Sequence, residues 1–267
     1  MYEIITRLNN VSTHTDLNIS QFIAETDPDI GKEAIWAEYS SAKFLFLGRL
    51  IEIAGQHDLH LILAVQDDKK RNIVEKFLRG KGFNYTRPRE DLGGNIEVSL
   101  SKDSLSFGIH SNDGVHDIYR TPAAIFAFDT AFNPQSPSVQ HIRTTYTRNG
   151  NLLPIIWFFV ANTCEHIEHC LPDLPEPERL RLLLQYTSQL HDEVGDLQDD
   201  ALGLQDEVEE ILHYLLDSMI PWPLPIIHPL PLVSVEALGS SSALPDQSQI
   251  AAPKRALVTL YLPPLYD

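Results

Sequence analysis

Apolar runs of strand length alternate with amphipathic helical segments through the middle of the chain. The apolar runs are residues 59–65, 123–128 and 152–160; residues 83–86 are predicted as a short strand, and residues 96–101 alternate between apolar and polar positions like another strand. Apolar positions at helical spacing occupy residues 40–55 and 67–82 between them. Ser40 or Ser41 is a suitable N-cap of the first helix, and Asp67 and Asp68 suit the start of the second. Buried strands that alternate with helices predict an α/β fold, a mostly parallel sheet with helices on both faces.

A seven-residue repeat of apolar positions distinguishes residues 178–218. The repeat is formed by Leu183, Leu190, Val194, Leu197, Leu204, Val208 and Ile211. This spacing is that of a coiled-coil seam and predicts a long helix. Two uses of the seam are open: the helix packs on its own domain, or it pairs with a protein partner in a homo- or heterodimer.

The patterning divides the chain into four parts. Residues 1–39 are polar and weakly patterned, which predicts an N-terminal extension with one or two short elements, and residues 40–177 are predicted to form the α/β domain. The long helix, residues 178–218, follows. Nine of the 18 prolines lie in the last part, residues 219–267, which predicts an extended, polyproline-like strap.

Charge separates these parts further. The 267 residues carry a formal net charge of −17, and residues 182–267 contribute −11 of it, because they hold 13 acidic and two basic residues. Such a balance excludes a protein that simply coats nucleic acid or an anionic membrane. Only two cysteines occur, and the longest apolar run is too short to cross a bilayer, so we expect a soluble protein of a reducing compartment.

One basic segment stands out from the acidic remainder. Within it lie Lys69, Lys70, Arg71, Lys76, Arg79, Lys81, Arg87 and Arg89. Clustered charges of one sign on a helix and the next strand predict a DNA contact through phosphates. The alternative is a solvated helix face that pairs with the acidic C-terminal helix.

Common catalytic motifs are missing from the chain. It has no nucleotide P-loop, no Gly-x-Gly-x-x-Gly after a strand, no Gly-x-Ser-x-Gly and no His-Glu-x-x-His. Residues 164–170 are rich in Cys and His, but one short helix cannot direct four ligands to a tetrahedral metal. We therefore predict neither a metal nor a cofactor.

Residues 40–170 resemble the second RecA-like lobe of the chromatin-remodelling helicase ATPases. Ser41-Ala42-Lys43 is similar to the Ser-Gly-Lys that opens that lobe, and residues 128–135, Phe-Asp-Thr-Ala-Phe-Asn-Pro-Gln, are similar to its Tyr-Asp-x-x-Trp-Asn-Pro run. The motif remnants are Asp129, Asn133, Gln140 and Arg143. Tyr146 stands where those enzymes have an arginine finger, and the preceding lobe with its phosphate-binding loop is absent. We expect the remnants to have a structural role, in a strand-end turn and in bonds to nearby backbone.

A degenerate lobe followed by a helical segment resembles subunits 2 and 3 of the fungal class II histone deacetylase complex. That family includes a fission-yeast telomere protein that recruits silencing factors. The resemblance covers residues 40–218. It implies a non-catalytic scaffold in the nucleus, at chromatin or telomeres, that contacts deacetylase subunits, dimerises with a sister subunit and binds DNA weakly.

Two other functions are open at this point. One is a telomere-cap adaptor that binds a partner peptide and recruits silencing factors or telomerase. The other is the nucleotide-binding lobe of a helicase whose second lobe lies on another chain, and Tyr146 argues against it.

Overall fold

The computed structural model describes residues 2–19, 29–83, 85–86, 104–112, 118, 120–148, 150–171, 174–191, 203–216 and 258–261. The α-helices are α1 (Tyr2–Thr13), α2 (Ile30–Ser40), α3 (Ala42–Ala54), α4 (Asp68–Gly80), α5 (Pro137–Thr145), α6 (Cys164–Cys170), α7 (Glu176–Gln189) and α8 (Leu204–Leu216), and a 3-10 helix spans Thr15–Asn18. The strands are β1 (His60–Ala64), β2 (Tyr85–Thr86), β3 (Ser106–His110), β4 (Ala124–Ala127), β5 (Ile155–Val160) and β6 (Val258–Tyr261). Among these described helices, none has the length and hydropathy that a membrane span requires.

The strands form one sheet in the order β2-β3-β1-β4-β5-β6. The first five strands of this order are parallel, and β6 is antiparallel to β5. The predicted fold class, a RecA-like parallel sheet with flanking helices, is confirmed. Because the chain leaves β1 toward β2 and later returns to β4 on the opposite side, the order reverses beside β1, where open α/β sheets bind ligands.

Both faces of the sheet are covered. On one face Leu61, Phe126 and Phe158 belong to a core that also contains buried side chains of α2, α3, α4 and α8. On the other face Ile125 and Trp157 pack with side chains of α5. This double burial explains why β1, β4 and β5 are continuous apolar runs that the sequence pattern identifies.

The helix starts follow the predicted capping residues. The Ser41 hydroxyl accepts a hydrogen bond from the Phe44 amide at the start of α3, over 3.4 Å. The Asp67 carboxylate accepts from the amides of Lys69 and Lys70 at the start of α4, over 2.9 and 3.1 Å. Each cap satisfies amides that have no partner within the helix.

Strand β3 is a part of the sheet that the pattern does not identify. The strand predicted at 96–101 lies outside the described residues, whereas the observed one is Ser106–His110. Its inner positions alternate between polar and apolar side chains, and Gly108 weakens the strand signal. A Cβ at Gly108 would lie 3.3 Å from His60 Nε2, so the glycine leaves room for a buried histidine of β1.

The described residues of the segment predicted as one long helix form two helices, and the first of them ends within the segment. Helix α7 ends at Gln189, where the Leu190 amide bonds to the Tyr186 carbonyl, and the next described helix is α8. A helix over all of 178–218 would extend about 60 Å. Two shorter helices instead place their apolar sides against the same domain.

Candidate functional site

The carboxyl edge of the parallel sheet is where this fold would hold a ligand. Lys43 lies at that edge in the first turn of α3 and is fully buried. Its ammonium donates to Glu165 Oε2 over 2.6 Å and to the Phe128 carbonyl over 2.9 Å. The other oxygen of Glu165 accepts from the Val160 amide over 2.9 Å, so the pair connects α3, β4, β5 and α6.

Burial determines the electrostatics of this pair. Desolvation lowers the pKa of the Lys43 ammonium, and the adjacent Glu165 carboxylate opposes that shift. With relative exposures of 0% for the lysine and 1% for the glutamate, the pair is closed to a phosphate from solvent. The lysine at the position of the helicase Ser-Gly-Lys therefore bonds within its own fold.

Asp129 directly follows β4 and is buried at the same edge. Its carboxylate accepts from the Gln66 amide over 2.9 Å and from the Ala131 amide over 3.1 Å. These bonds connect the end of β1 to the turn after β4. The geometry is that of a structural turn, which is the role expected for the motif remnants.

The three other motif remnants also bond to nearby backbone. The Asn133 side chain accepts from the Gln135 amide over 2.9 Å, and the Gln140 amide group donates to the Pro134 carbonyl over 2.6 Å. Arg143 Nε donates to the Leu153 carbonyl over 3.0 Å. These bonds hold α5 between the turn after β4 and the start of β5.

Tyr146 occupies the position at which the helicase ATPases have their arginine finger. It caps the C-terminus of α5, and its hydroxyl donates to the Ile118 carbonyl over 3.4 Å. A phenol carries no positive charge for a nucleotide phosphate. The edge thus presents a network that connects strands and helices of this domain.

The described basic residues of α4 and its C-cap, Lys81, divide into two groups. Lys76 pairs with Glu33 of α2 over 3.2 Å, Lys81 pairs with Glu38 of α2, and Arg71 pairs with Asp68 of its own helix over 2.8 Å. Lys69, Lys70 and Arg79 have no ion pair with another described residue, and Lys69 and Arg79 are exposed. Arg87 and Arg89 lie outside the described residues. Pairing with acidic residues does occur: among the described residues, the partners outside this helix are Glu33 and Glu38 of α2, and none is in α8.

Much of the predicted seam is buried in the chain's own core. Leu204, Val208 and Ile211 have relative exposures of 7%, 0% and 0% and belong to the core cluster that includes α3, and Leu183 packs against α1 and α6. Leu190 is half-buried, and Val194 and Leu197 lie outside the described residues. For the buried members the structure selects the first of the two uses, packing on the chain's own domain. These buried side chains are therefore not exposed for contact with a protein partner.

The Cys- and His-rich helix α6 does not form a metal cluster. Cys164 and Cys170 are free thiols, and burial raises the pKa of Cys164 to about 11. Nδ1 of His166 accepts from the Asn162 amide over 3.0 Å, and burial lowers the pKa of this imidazole to about 4. No group of three or more His, Cys, Asp or Glu in the described part of the chain is arranged to hold a metal ion.

Sequence reasoning missed two features of the structure. One is the Lys43–Glu165 pair, whose available signal is a single lysine within the apolar run of α3. The other is a groove beside Trp36 of α2, in a segment whose weak pattern predicts an N-terminal extension with one or two short elements. A solitary charge in an apolar stretch indicates a buried partner, although it does not identify that partner.

The parallel sheet and the residues at its carboxyl edge define a helicase-lobe-like α/β domain. The residues that resemble helicase motifs form hydrogen bonds within this domain. The family model of class II histone deacetylase complex subunits 2 and 3 matches residues 1–215, and the chain belongs to that family. Comparison with curated protein sequences finds no match.

Among the solved structures that are similar to the chain, two are informative here. One is from structural and functional studies of the yeast class II Hda1 HDAC complex, with 18% identity and a TM-score of 0.70 over 86% of this chain and 79% of that one. The other is from the crystal structure of fission yeast Ccq1 and Tpz1, with 13% identity and a TM-score of 0.52 over 84% and 78%. At these identities the likeness shows a shared fold.

Proposed function

We propose that the chain is a non-catalytic scaffold subunit of a histone deacetylase complex that acts in the nucleus, at chromatin. The observation that carries this proposal is the carboxyl edge of the sheet. There, Lys43, Asp129, Gln140 and Arg143 all bond to groups of the same domain. A domain with this edge contributes surface and shape to a complex rather than chemistry.

Phosphoryl transfer is the reaction that the helicase resemblance would otherwise suggest. It requires a phosphate-binding loop, a metal carboxylate and a positive charge on the transferred group. The sequence has no such loop, and Tyr146 replaces the finger. Family membership points in the same direction, since the family comprises subunits 2 and 3 of class II deacetylase complexes.

Purification of the tagged chain from its native cells tests the proposal. We expect the catalytic deacetylase subunit and deacetylase activity on an acetylated histone peptide to co-purify with the chain. We also expect the chain alone to hydrolyse no ATP with DNA present. ATP turnover by the chain alone, or co-purification without any deacetylase subunit, would contradict the scaffold proposal.

A telomere-cap adaptor is the second candidate function. It is supported by the structural likeness to the crystal structure of fission yeast Ccq1 and Tpz1. The same purification distinguishes the two candidates. Recovery of telomere-cap proteins in place of deacetylase subunits would select the adaptor.

DNA contact is a further part of the proposal and depends on the outward residues of α4. We expect Lys69→Gln and Arg79→Gln each to weaken binding of duplex DNA and to lower the slope of log affinity against log salt by about 0.9 for each phosphate that the variant no longer neutralises. The matched control is Lys76→Gln, which removes the same charge from a lysine that already pairs with Glu33. Fluorescence anisotropy across a salt series measures both quantities, and equal slopes for all variants would exclude α4 from the DNA-binding surface.

A further inference from the structure

Strand β5 is covered on one side by a short strand from the C-terminal part of the chain. Residues 155–160 are Ile-Ile-Trp-Phe-Phe-Val and include neither a charge nor a proline. One side of β5 pairs with β4, and the other side pairs with β6. Without β6, β5 would be an edge strand, and an apolar edge strand that lacks charges and prolines readily pairs with a strand of another chain. The folded chain therefore depends on β6 to protect this side of β5.

The cover that β6 provides is shorter than β5. The antiparallel ladder pairs residues 157–160 with residues 258–261, which are four of the six residues of β5. In the sequence, Pro263 and Pro264 follow β6 closely. Consecutive prolines end a ladder, because one of any two successive residues in a strand directs its amide at the neighbouring strand and proline has no amide hydrogen. A longer segment without proline would also pair with the first two residues of β5.

A long connection joins β6 to the rest of the chain. Helix α8 ends at Leu216 and β6 begins at Val258. The connection is about 40 residues long, whereas connections within compact domains are typically about 2–6 residues. A strand of four residues on such a connection can leave β5 while α8 stays packed in the core that it shares with α3. The departure of β6 is then a local opening that does not require global unfolding.

We propose that the side of β5 away from β4 is a strand-addition site, which β6 occupies until an extended segment of a partner protein replaces it. The partner segment has no proline over six residues, is rich in β-branched and aromatic residues, and runs antiparallel to β5 as β6 does. Backbone hydrogen bonds supply much of the affinity in strand addition, so the longer uninterrupted ladder displaces the shorter one. The proposal goes beyond the subunit assignment and does not rest on it.

The length of the ladder also distinguishes a partner protein from a second copy of this chain. A second copy offers the same four-residue strand with the same two prolines after it. It therefore gains no pairs over β6, and it competes with a strand that is tethered to the same molecule and so present at a high effective concentration. A different protein with a longer extended segment does gain pairs.

Binding of two synthetic peptides to the purified full chain tests the site. The probe is a fluorescent peptide of residues 256–264 that carries Pro263→Val and Pro264→Thr, and the comparison peptide keeps both prolines. We expect the probe to bind about tenfold more tightly than the comparison peptide in fluorescence anisotropy, because it forms additional backbone hydrogen bonds with the start of β5.

Release of β6 should strengthen binding of the probe further. In the full chain with Thr259→Pro and Leu260→Pro, one of the two positions loses an amide that faces β5, so β6 no longer holds its ladder. We expect the affinity for the probe to rise by about tenfold, because occupation of a site by β6 lowers its apparent affinity by the fraction of molecules that are open. The matched control carries Thr259→Val and Leu260→Val, which keep both amides, and should bind the probe as the unmodified chain does.

Hydrogen exchange locates the bound probe. Exchange of the β5 amides should increase in the double-proline variant and decrease again when the probe is added, while the β1 amides stay protected throughout. Protection of β1 also verifies that the variant is folded. If the variant does not fold, the comparison of the two peptides on the unmodified chain still decides.

Three results would overturn the proposal. The first is equal affinity of the two peptides for the unmodified chain. The second is a folded double-proline variant whose probe affinity and β5 exchange are both unchanged, which would show that β6 does not occlude the site. The third is a double-proline variant that dimerises in sedimentation and excludes the probe, which would assign this side of β5 to a second copy. Because the test uses the purified chain alone, its failure leaves the deacetylase-complex assignment unchanged, and failed co-purification leaves the strand-addition site unchanged.

Discussion

Replacing Glu165 by alanine is expected to lower the free energy of unfolding by about 3–5 kcal/mol. The change leaves the Lys43 ammonium at 0% exposure, with the Phe128 carbonyl at 2.9 Å as its hydrogen-bond acceptor. It also removes the acceptor of the buried Val160 amide. An uncompensated buried charge is far more costly than the removal of a surface ion pair, and partial deprotonation of the lysine only limits that cost. Urea unfolding followed by circular dichroism measures the effect as a shift of the midpoint at constant slope.

A second glutamate on α6 provides the matched control. Glu168 pairs with Arg179 over 3.3 Å, but its side chain is 24% exposed and that of the arginine is 39% exposed. The other oxygen of Glu168 accepts from Asn9 Nδ2 over 3.2 Å. Because these partners are only partly buried, Glu168→Ala should cost clearly less than Glu165→Ala. Equal costs for the two alanine variants would contradict a buried Lys43–Glu165 pair.

Replacing both residues together separates the effect of their charges from the effect of their side-chain volumes on stability. Apolar pairs of similar volume often substitute for buried ion pairs without loss of stability. The Lys43→Met and Glu165→Met double variant should therefore recover most of the stability that either single variant loses. If it also co-purifies with the same proteins as the unmodified chain, the pair serves the fold and takes no part in binding.

The parts of the sheet that the sequence predicts are those whose burial is the same on both faces. β1, β4 and β5 lie in the middle of a covered sheet, so nearly every position is apolar. β3 is equally central, but Ser106, Gly108 and His110 occupy one of its faces, and the run loses its apolar character. Hydrophobic patterning identifies a strand whose two faces are both apolar. It misses a buried strand such as β3, which has polar or small side chains on one face.

Neither the surface that the heptad packs against nor the pairing of Lys43 with Glu165 could be predicted from the sequence, and the reasons differ. An apolar repeat states that one side of a helix is buried, but a partner chain and the chain's own α3 both satisfy that requirement. The pairing of Lys43 with Glu165 joins residues 122 positions apart, and nothing local in either segment specifies the other. The bonds of Asn133 and Gln140 were predictable because turn-forming side chains bond to backbone nearby in sequence, whereas the bond from the Gln66 amide to Asp129 joins residues 63 positions apart.

Truncation of Ile211 to alanine is expected to lower the free energy of unfolding by about 2–5 kcal/mol. Ile211 has a relative exposure of 0% in the core shared by α8 and α3, so the change leaves a cavity that the surrounding side chains only partly fill. The matched control is Leu216→Ala in the same helix, where the side chain is 40% exposed and the cost should stay within about 0.5 kcal/mol.

Urea unfolding of Ile211→Ala at several protein concentrations measures the effect. A cost independent of concentration supports packing on the chain's own domain. If Ile211→Ala instead dissociated an oligomer while monomer stability stayed constant, the seam would belong to a partner, because only an intermolecular contact depends on concentration.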